Sequence, residues 1–259
     1  QDGWLVYFNM LGADRDKFDA PPLFVRAKKV FLCAGSLGST EILMRSANHG
    51  LDVSDMLGQR FTGNGDVLGF GYNCDQPVQG MGKVVEDDAT GDVGPCITSA
   101  IDMRQRDSLE EGMTLEEGSI PSAISKIVIG ALIRFDRILG IDTDKNPRDF
   151  LKEKWREIVS LVRGPYHGAA NNTQVYLVMT HDDGQGEMSL QDDRIAIEWK
   201  GVGKQKIFEK VGDKLEKATQ ALGGTFVKNP TFTKLFNYDL VTVHPLGGCV
   251  MGDNAQNGV

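Results

Sequence analysis

The sequence predicts an α+β fold, and three observations predict it. Short alternating runs and longer helix-period segments follow one another without strict alternation, glycine-rich turns separate them, and no internal repeat is present. The chain has 259 residues, enough for one large domain or two small ones with a substantial core. Glycine is the compositional outlier: 31 residues, about 12% against a usual share of roughly 7%, which points to tight turns and close backbone approaches.

Taken in order, Trp4 to Phe8 is a short apolar run, and Leu23 to Cys33 resumes after the polar stretch Gly12 to Asp19, as two strands joined by a turn would. The second run ends in Ala34-Gly35-Ser36-Leu37-Gly38-Ser39-Thr40, and Glu41 to Ser46 then supplies helix formers with apolar residues on one side. A strand, glycine turn and helix in that order set helix N-terminal amides beside close-approach glycines, a place for an anionic or polar cofactor edge. Five glycines lie between Gly58 and Gly71 around Thr62, Asn64 and Asp66, and predict an ordered binding loop or a strand edge. Residues 74 to 120 read as short strands and turns, with the period-2 pattern of a half-buried strand from Ile97 to Met103.

Two helices follow, Ser122 to Leu139 and Pro147 to Val162, expected to pack as a pair, with Pro147 in a first helical turn. Gln174 to Met179 reads as a strand. Glu187 to Leu190 and Arg194 to Trp199 flank Gln191-Asp192-Asp193 as a hairpin would, and the charged helix Gln205 to Leu222 stops at Gly223-Gly224.

Composition excludes several classes. Net charge is -8 and no Lys/Arg run exceeds two residues, so nucleic acid is not an expected partner. Cys33, Cys74, Cys96 and Cys249 are too widely spaced for CxxC metal pairs and too few for a disulfide scaffold, so buried thiols are expected. The most apolar stretch, Ala123 to Ile141, carries Lys126, Arg134, Asp136 and Arg137 and is not a spanning helix. The chain opens on Gln1 without a basic-then-apolar leader, so it reads as a piece of a longer protein, with the cytoplasm favoured because neither a signal peptide nor a disulfide pattern is visible.

Four histidines are available for proton transfer. His49 follows a helix end, where the helix dipole accounts for it, and His167 and His181 lie in turns as solvated residues. His244 ends the apolar run Leu240 to Val243 and precedes Pro245-Leu246-Gly247-Gly248-Cys249. Proline fixes the turn and the glycines leave room for a flat ligand beside the imidazole; a functional site and a satisfied structural histidine both stand at this point. No GxGxxG, GxxxxGK[ST] or GxSxG pattern occurs, and no metal site is expected: Glu86-Asp87-Asp88 and Asp182-Asp183 read as solvated turns. Glu110, Glu111, Glu116 and Glu117 read as a surface loop, with a substrate-facing role as the alternative, and Asn171-Asn172-Thr173 fits the glycosylation pattern.

Val30 to Thr40 and Thr242 to Gly252 together resemble two signature segments of the glucose-methanol-choline flavin oxidoreductases, with closer likeness to the cholesterol oxidase branch. The loop Leu57 to Asp66 resembles the flavin-side segment that follows the first signature in that family. The resemblance implies an antiparallel-sheet substrate domain with helices at 70–239, attached to part of a Rossmann-like FAD-binding domain at 1–69 and 240–259. It implies FAD as cofactor, with Ala34, Gly35 and Ser36 beside it, Asn64 and Gly65 near the flavin ring, and Gly247 and Gly248 against its edge. His244 matches the catalytic histidine that accepts or positions the alcohol proton while hydride passes to the flavin.

The sequence departs from the family in four places. The amino-terminal GxGxxG is absent, the second polar active-site residue would lie beyond Val259, and Thr40 replaces a common proline. Around Ala169-Ala170-Asn171, where cholesterol oxidases bring a catalytic glutamate, there is no carboxylate, which counts against sterol isomerisation. The expected activity is oxidation of a hydrophobic, sterol-like alcohol, with the remainder of the flavin domain as a partner and this piece inactive alone. The alternative from another class is a non-catalytic lipid or substrate-binding module. A third expectation is a transient membrane-surface contact through the Ser122 to Leu139 helix.

Overall fold

The computed structural model describes residues 3–10, 21–82, 97–104, 108–143, 149–229, 231–232 and 238–259. These form a mixed α+β structure whose sheets are antiparallel.

The largest sheet has six strands. Across it run β4 (Ala100–Asp102), β5 (Thr114–Gly118), β7 (Gln174–Met179), β3 (Val67–Tyr72), β10 (Thr225–Lys228) and β6 (Ile141–Asp142). The period-2 alternation of β7 divides two cores. Tyr176 and Val178 join Phe208, Val211 and Leu215 of helix α5 (Lys206–Ala221), whereas Val175 joins Met81, Ile120 and Ile129 on the other side. Ile129 belongs to α2 (Ser122–Leu139), which also buries Ser125 and Leu132 at helical spacing, and α4 (Gly168–Asn171) supplies the buried Ala169 and Ala170 beside it. The sheet is thus covered on both faces, and full burial of an aliphatic side chain such as Leu215 contributes about 1.5–3 kcal/mol.

Strand β3 explains two of the glycines that composition singled out. A Cβ on Gly69 would lie 2.8 Å from Leu215 Cδ1, and one on Gly71 would lie 2.9 Å from Tyr176 Oη and 3.2 Å from Thr219 Oγ1. Their absence lets α5 settle onto the sheet, so a region expected to be a loop or strand edge contains a central strand.

Several helix ends follow sequence signals. The Gly224 amide donates to Thr219 O and the Gly223 amide to Gln220 O, with Gly223 at φ +63, the Schellman closure of α5. In the hairpin of β8 (Glu187–Gln191) and β9 (Arg194–Glu198), Asp192 and Asp193 take φ +48 and +59, as a type I′ turn requires.

Other expectations are corrected. Helix α1 spans Gly35–Asn48, so the glycine signature forms its opening turns and not a preceding turn; Ser36, Thr40 and Cys249 contacts hold it helical despite two glycines. Strand β2 is only Leu23–Ala27 and pairs with β1 (Trp4–Phe8), and β4 is shorter than Ile97 to Met103. Glu116 and Glu117 lie in β5, and Glu110 and Glu111 in a single 3-10 turn. Helix α3 (Phe150–Arg163) packs chiefly against α4, not as a pair with α2, because its inward face is polar: Arg156 Nε donates to Asn73 Oδ1 at 2.7 Å, and Glu157 and Ser160 are buried. Pro147, Gly12 to Asp19, Glu86-Asp87-Asp88 and Cys96 lie outside the described residues. Among the described residues no helix is long and apolar enough to cross a membrane.

Candidate active site

Strands β3 and β7 pair with Val67 opposite Val178, so the residue before β3, Asp66, and the residues after β7, Thr180 to Asp182, emerge at one end of the central sheet. That end receives the loop 57–66, the start of α1 and the segment 242–252. Thr62 and Leu246 exchange backbone hydrogen bonds at 3.1 and 2.9 Å, and the Gly58 amide donates to Gly248 O at 2.8 Å. Ser36 Oγ donates to Gly247 O at 2.8 Å, which ties the first signature to the second. The three segments singled out in the sequence therefore converge. The β8–β9 hairpin braces them: Met188 N donates to Gly58 O, and Arg45 of α1 grips Asp193. Strand β3 crosses the expected 69/70 boundary, and this hairpin, within 70–239, packs on α1.

His244 sits at the centre of this convergence. Its Nδ1 is 3.1 and 3.2 Å from the two oxygens of Asp66, whose side chain is 1% exposed against 41% for the imidazole. The same carboxylate accepts the Val243 amide at 2.8 Å and the His244 amide at 3.1 Å, and the Thr242 hydroxyl lies 3.0 Å away. Surrounded by donors, the carboxylate accepts throughout, so Nδ1 carries its hydrogen and Nε2 keeps the lone pair. The carboxylate thereby fixes the orientation of the imidazole, whose side chain stays 41% exposed. The ring is held by Asp66 as a satisfied structural histidine would be, and it keeps the exposed surface that a functional one requires.

A second carboxylate shapes the loop. Asp182, expected as a solvated turn residue, accepts the Gly63 amide at 3.0 Å, the Gly65 amide at 2.9 Å, the Gly184 amide at 3.0 Å and the Thr62 hydroxyl at 2.7 Å. Asn64 and Gly65 turn the chain at φ +56 and +60, and a Cβ on Gly65 would lie 2.6 Å from the Thr180 backbone. Their amide edge is thus spoken for by the protein, while the half-buried Asn64 side-chain amide makes no hydrogen bond among the described residues. Gly247 and Gly248 are at φ +88 and +81; side chains there would collide with the Arg60 carbonyl and with Met188 and Thr40 respectively, so close packing already demands glycine.

Ala34 and Gly35 are exposed, and the space where a Gly35 Cβ would stand is open. The first turn of α1 has no acidic residue and no side-chain cap, so its amide end is free of competing negative charge. Phe31, Val243 and Leu246 leave apolar surface uncovered around it. An exposed, uncapped helix start of this kind can receive an anionic group. A separate open depression of about 640 Å3, lined by Met56, Arg60, Val250 and Met251 among others, does not include His244.

The remaining histidines take the places expected of them: His49 caps α1, and His167 and His181 are exposed. The thiols differ from expectation. Cys74 is buried, its pKa pushed up to about 11 by desolvation, but Cys33 and Cys249 are exposed on the site side of α1 and the 242–252 segment. Asp66 and Asp182 were not singled out as functional from sequence. The one available signal for Asp66 was its position directly after the left-handed pair Asn64-Gly65. No family model matches the chain, and no curated protein matches it.

Proposed function

We propose that this chain is part of an FAD-dependent oxidoreductase that oxidises the CH–OH group of a hydrophobic alcohol. The observation that carries the reading is the Asp66–His244 pair at the meeting point of the three segments that resemble the flavin oxidoreductases. FAD, when bound, supplies the hydride acceptor. His244 Nε2 takes the hydroxyl proton, which strengthens the carbinol carbon as a hydride donor, and the buried Asp66 carboxylate stabilises the imidazolium that results. Ala34, Gly35 and Ser36 at the opening of α1 would hold the anionic part of the cofactor, the Asn64 side chain and Gly65 its ring, and Gly247 and Gly248 the ring edge.

On this reading 1–69 and 240–259 contribute to the FAD domain and the sheet and helices of 70–239 form the substrate domain. Apolar side chains are uncovered on both faces of the β1–β2 ribbon, Trp4 and Val25 on one and Tyr7 and Phe24 on the other, which supports further flavin-domain structure around it.

The test is the visible spectrum of the full-length gene product that contains this chain. Flavin bands that bleach when a hydrophobic alcohol is added without oxygen are the expected result, and His244→Gln should keep the flavin but slow bleaching by about 10²–10⁴-fold. A colourless protein that takes up no added FAD would overturn the proposal.

A further inference from the structure

Oδ2 of Asp66 has more donors than it can serve. The amides of Val243 and His244 donate to it at 2.8 and 3.1 Å, the Thr242 hydroxyl lies 3.0 Å away and His244 Nδ1 lies 3.1 Å away. A single carboxylate oxygen offers about two lone-pair sites. Two of these donors are backbone amides fixed by the chain, and the ring is tied to the carboxylate that orients it. The hydroxyl is the mobile one. It turns about a single bond, and it has a second acceptor at equal reach, Gly63 O, also 3.0 Å away.

Gly63 O opens a line of hydrogen bonds through the loop. It shares a peptide unit with the Asn64 amide, which donates to Thr62 Oγ1 at 3.0 Å, and the Thr62 hydroxyl donates to Asp182 Oδ1 at 2.7 Å. With the Thr242 hydrogen on Gly63 O, every donor from Thr242 to Asp182 points the same way, the arrangement in which hydrogen bonds polarise one another. Close packing holds the line in place: a Cβ on Gly63 would lie 3.2 Å from Thr242 Cβ, and Gly63, Gly65 and Asp66 are buried. A charged group stands at each end, Asp66 from before β3 in contact with His244, and Asp182 from the turn after β7.

We propose that Thr242 is a positioning residue that couples the protonation of His244 to the loop 62–65. While the imidazole is neutral the hydroxyl hydrogen rests on Asp66, because a hydrogen bond to a charged acceptor is about twice as strong as a neutral one. Once the imidazolium forms, its charge compensates the carboxylate, the Nδ1 hydrogen takes a larger share of Oδ2, and the Thr242 hydrogen turns to Gly63 O. Polarisation of that peptide makes the Asn64 amide a stronger donor. The coupling needs no cofactor. Its use rests on the flavin reading, in which a protonated base would tighten the loop that carries Asn64 and Gly65 against the ring.

The test is a pH titration of the ¹⁵N-labelled chain, followed at the His244 ring and at the Asn64 amide. The expected result is an Asn64 amide resonance that moves with the midpoint of His244 in the native chain and in Thr242→Ser, which keeps the hydroxyl. In Thr242→Val that movement should be lost while His244 still titrates, and Thr242→Ala, which places no methyl where the hydroxyl stood, should behave the same way. A hydroxyl that only held the fold together would not carry this signal. An Asn64 resonance that ignores His244 in the native chain, or that follows it as fully in the valine and alanine variants, would overturn the proposal. No flavin takes part, so either failure leaves the oxidoreductase reading standing, and a colourless parent protein leaves the coupling standing.

Discussion

Replacing Asp66 by asparagine tests how the candidate site works, because the change alters charge and donor pattern at nearly constant shape. The amide oxygen can stay where Oδ2 now accepts Val243 N, His244 N and the Thr242 hydroxyl, which places the NH2 group toward His244 Nδ1. A donor there forces Nδ1 to become the acceptor and moves the ring hydrogen to Nε2. The histidine keeps its position and loses its base.

The stability cost follows from the same contacts. Three hydrogen bonds change from charge-assisted to neutral, each weakening by about 1 kcal/mol, so the loss is about 3 kcal/mol. For a protein of this size that lowers Tm by roughly 6–12 °C. The assay is calorimetry together with long-range ¹H–¹⁵N spectra of the histidine rings, which read the tautomer directly. If Asp66→Asn leaves hydrogen on Nδ1, or leaves Tm unchanged, the orienting role of Asp66 is refuted; on the proposed function the same variant of the flavin-loaded parent should lose turnover by about 10²–10⁴-fold.

Three further outcomes are expected. Gly248→Ala should destabilise by about 2–4 kcal/mol, since the new Cβ meets Met188 and Thr40 and the residue is held at φ +81; denaturant unfolding reads this, and wild-type stability would show that the segment can shift aside. In the native protein, thiol labelling read by mass spectrometry should modify Cys33 and Cys249 but spare Cys74. Because burial raises the Cys74 pKa from 9.0 to about 11, its contribution to stability is complete below pH 9 and lost as pH rises toward about 11; Cys74→Ala should flatten that alkaline limb.

Local signals were the most legible ones. Helix α2 spans the Ser122 to Leu139 that its length and periodicity predict, β7 matches its apolar run, and the Asp192-Asp193 hairpin and the Gly223-Gly224 stop appear where turn chemistry places them. What stayed hidden depends on contacts far away in sequence. Gly69 and Gly71 read as loop residues until Leu215, Thr219 and Tyr176 are set against them. Asp182 read as a solvated turn residue and Asp66 only as part of the glycine-rich loop, because their partners lie at Thr62 to Gly65 and at Val243 and His244 respectively. The inward polar face of α3 was equally invisible, since periodicity shows that a helix has an apolar side but not which way that side turns.

The place of β3 in the sheet has a consequence for how the chain is made. Val67 pairs with Val178, and Tyr72 with Thr225, so neither neighbour exists when this strand leaves the ribosome. At about 5–20 residues per second the strand waits roughly 5–20 s with both edges bare, and roughly 8–30 s until β10 covers the second. An unbroken apolar segment in that condition seeds aggregation, and Gly69 and Gly71 lower the strand propensity of Val67–Tyr72 for as long as α5 is missing. The glycines that admit α5 in the finished molecule thus also restrain premature pairing during its synthesis.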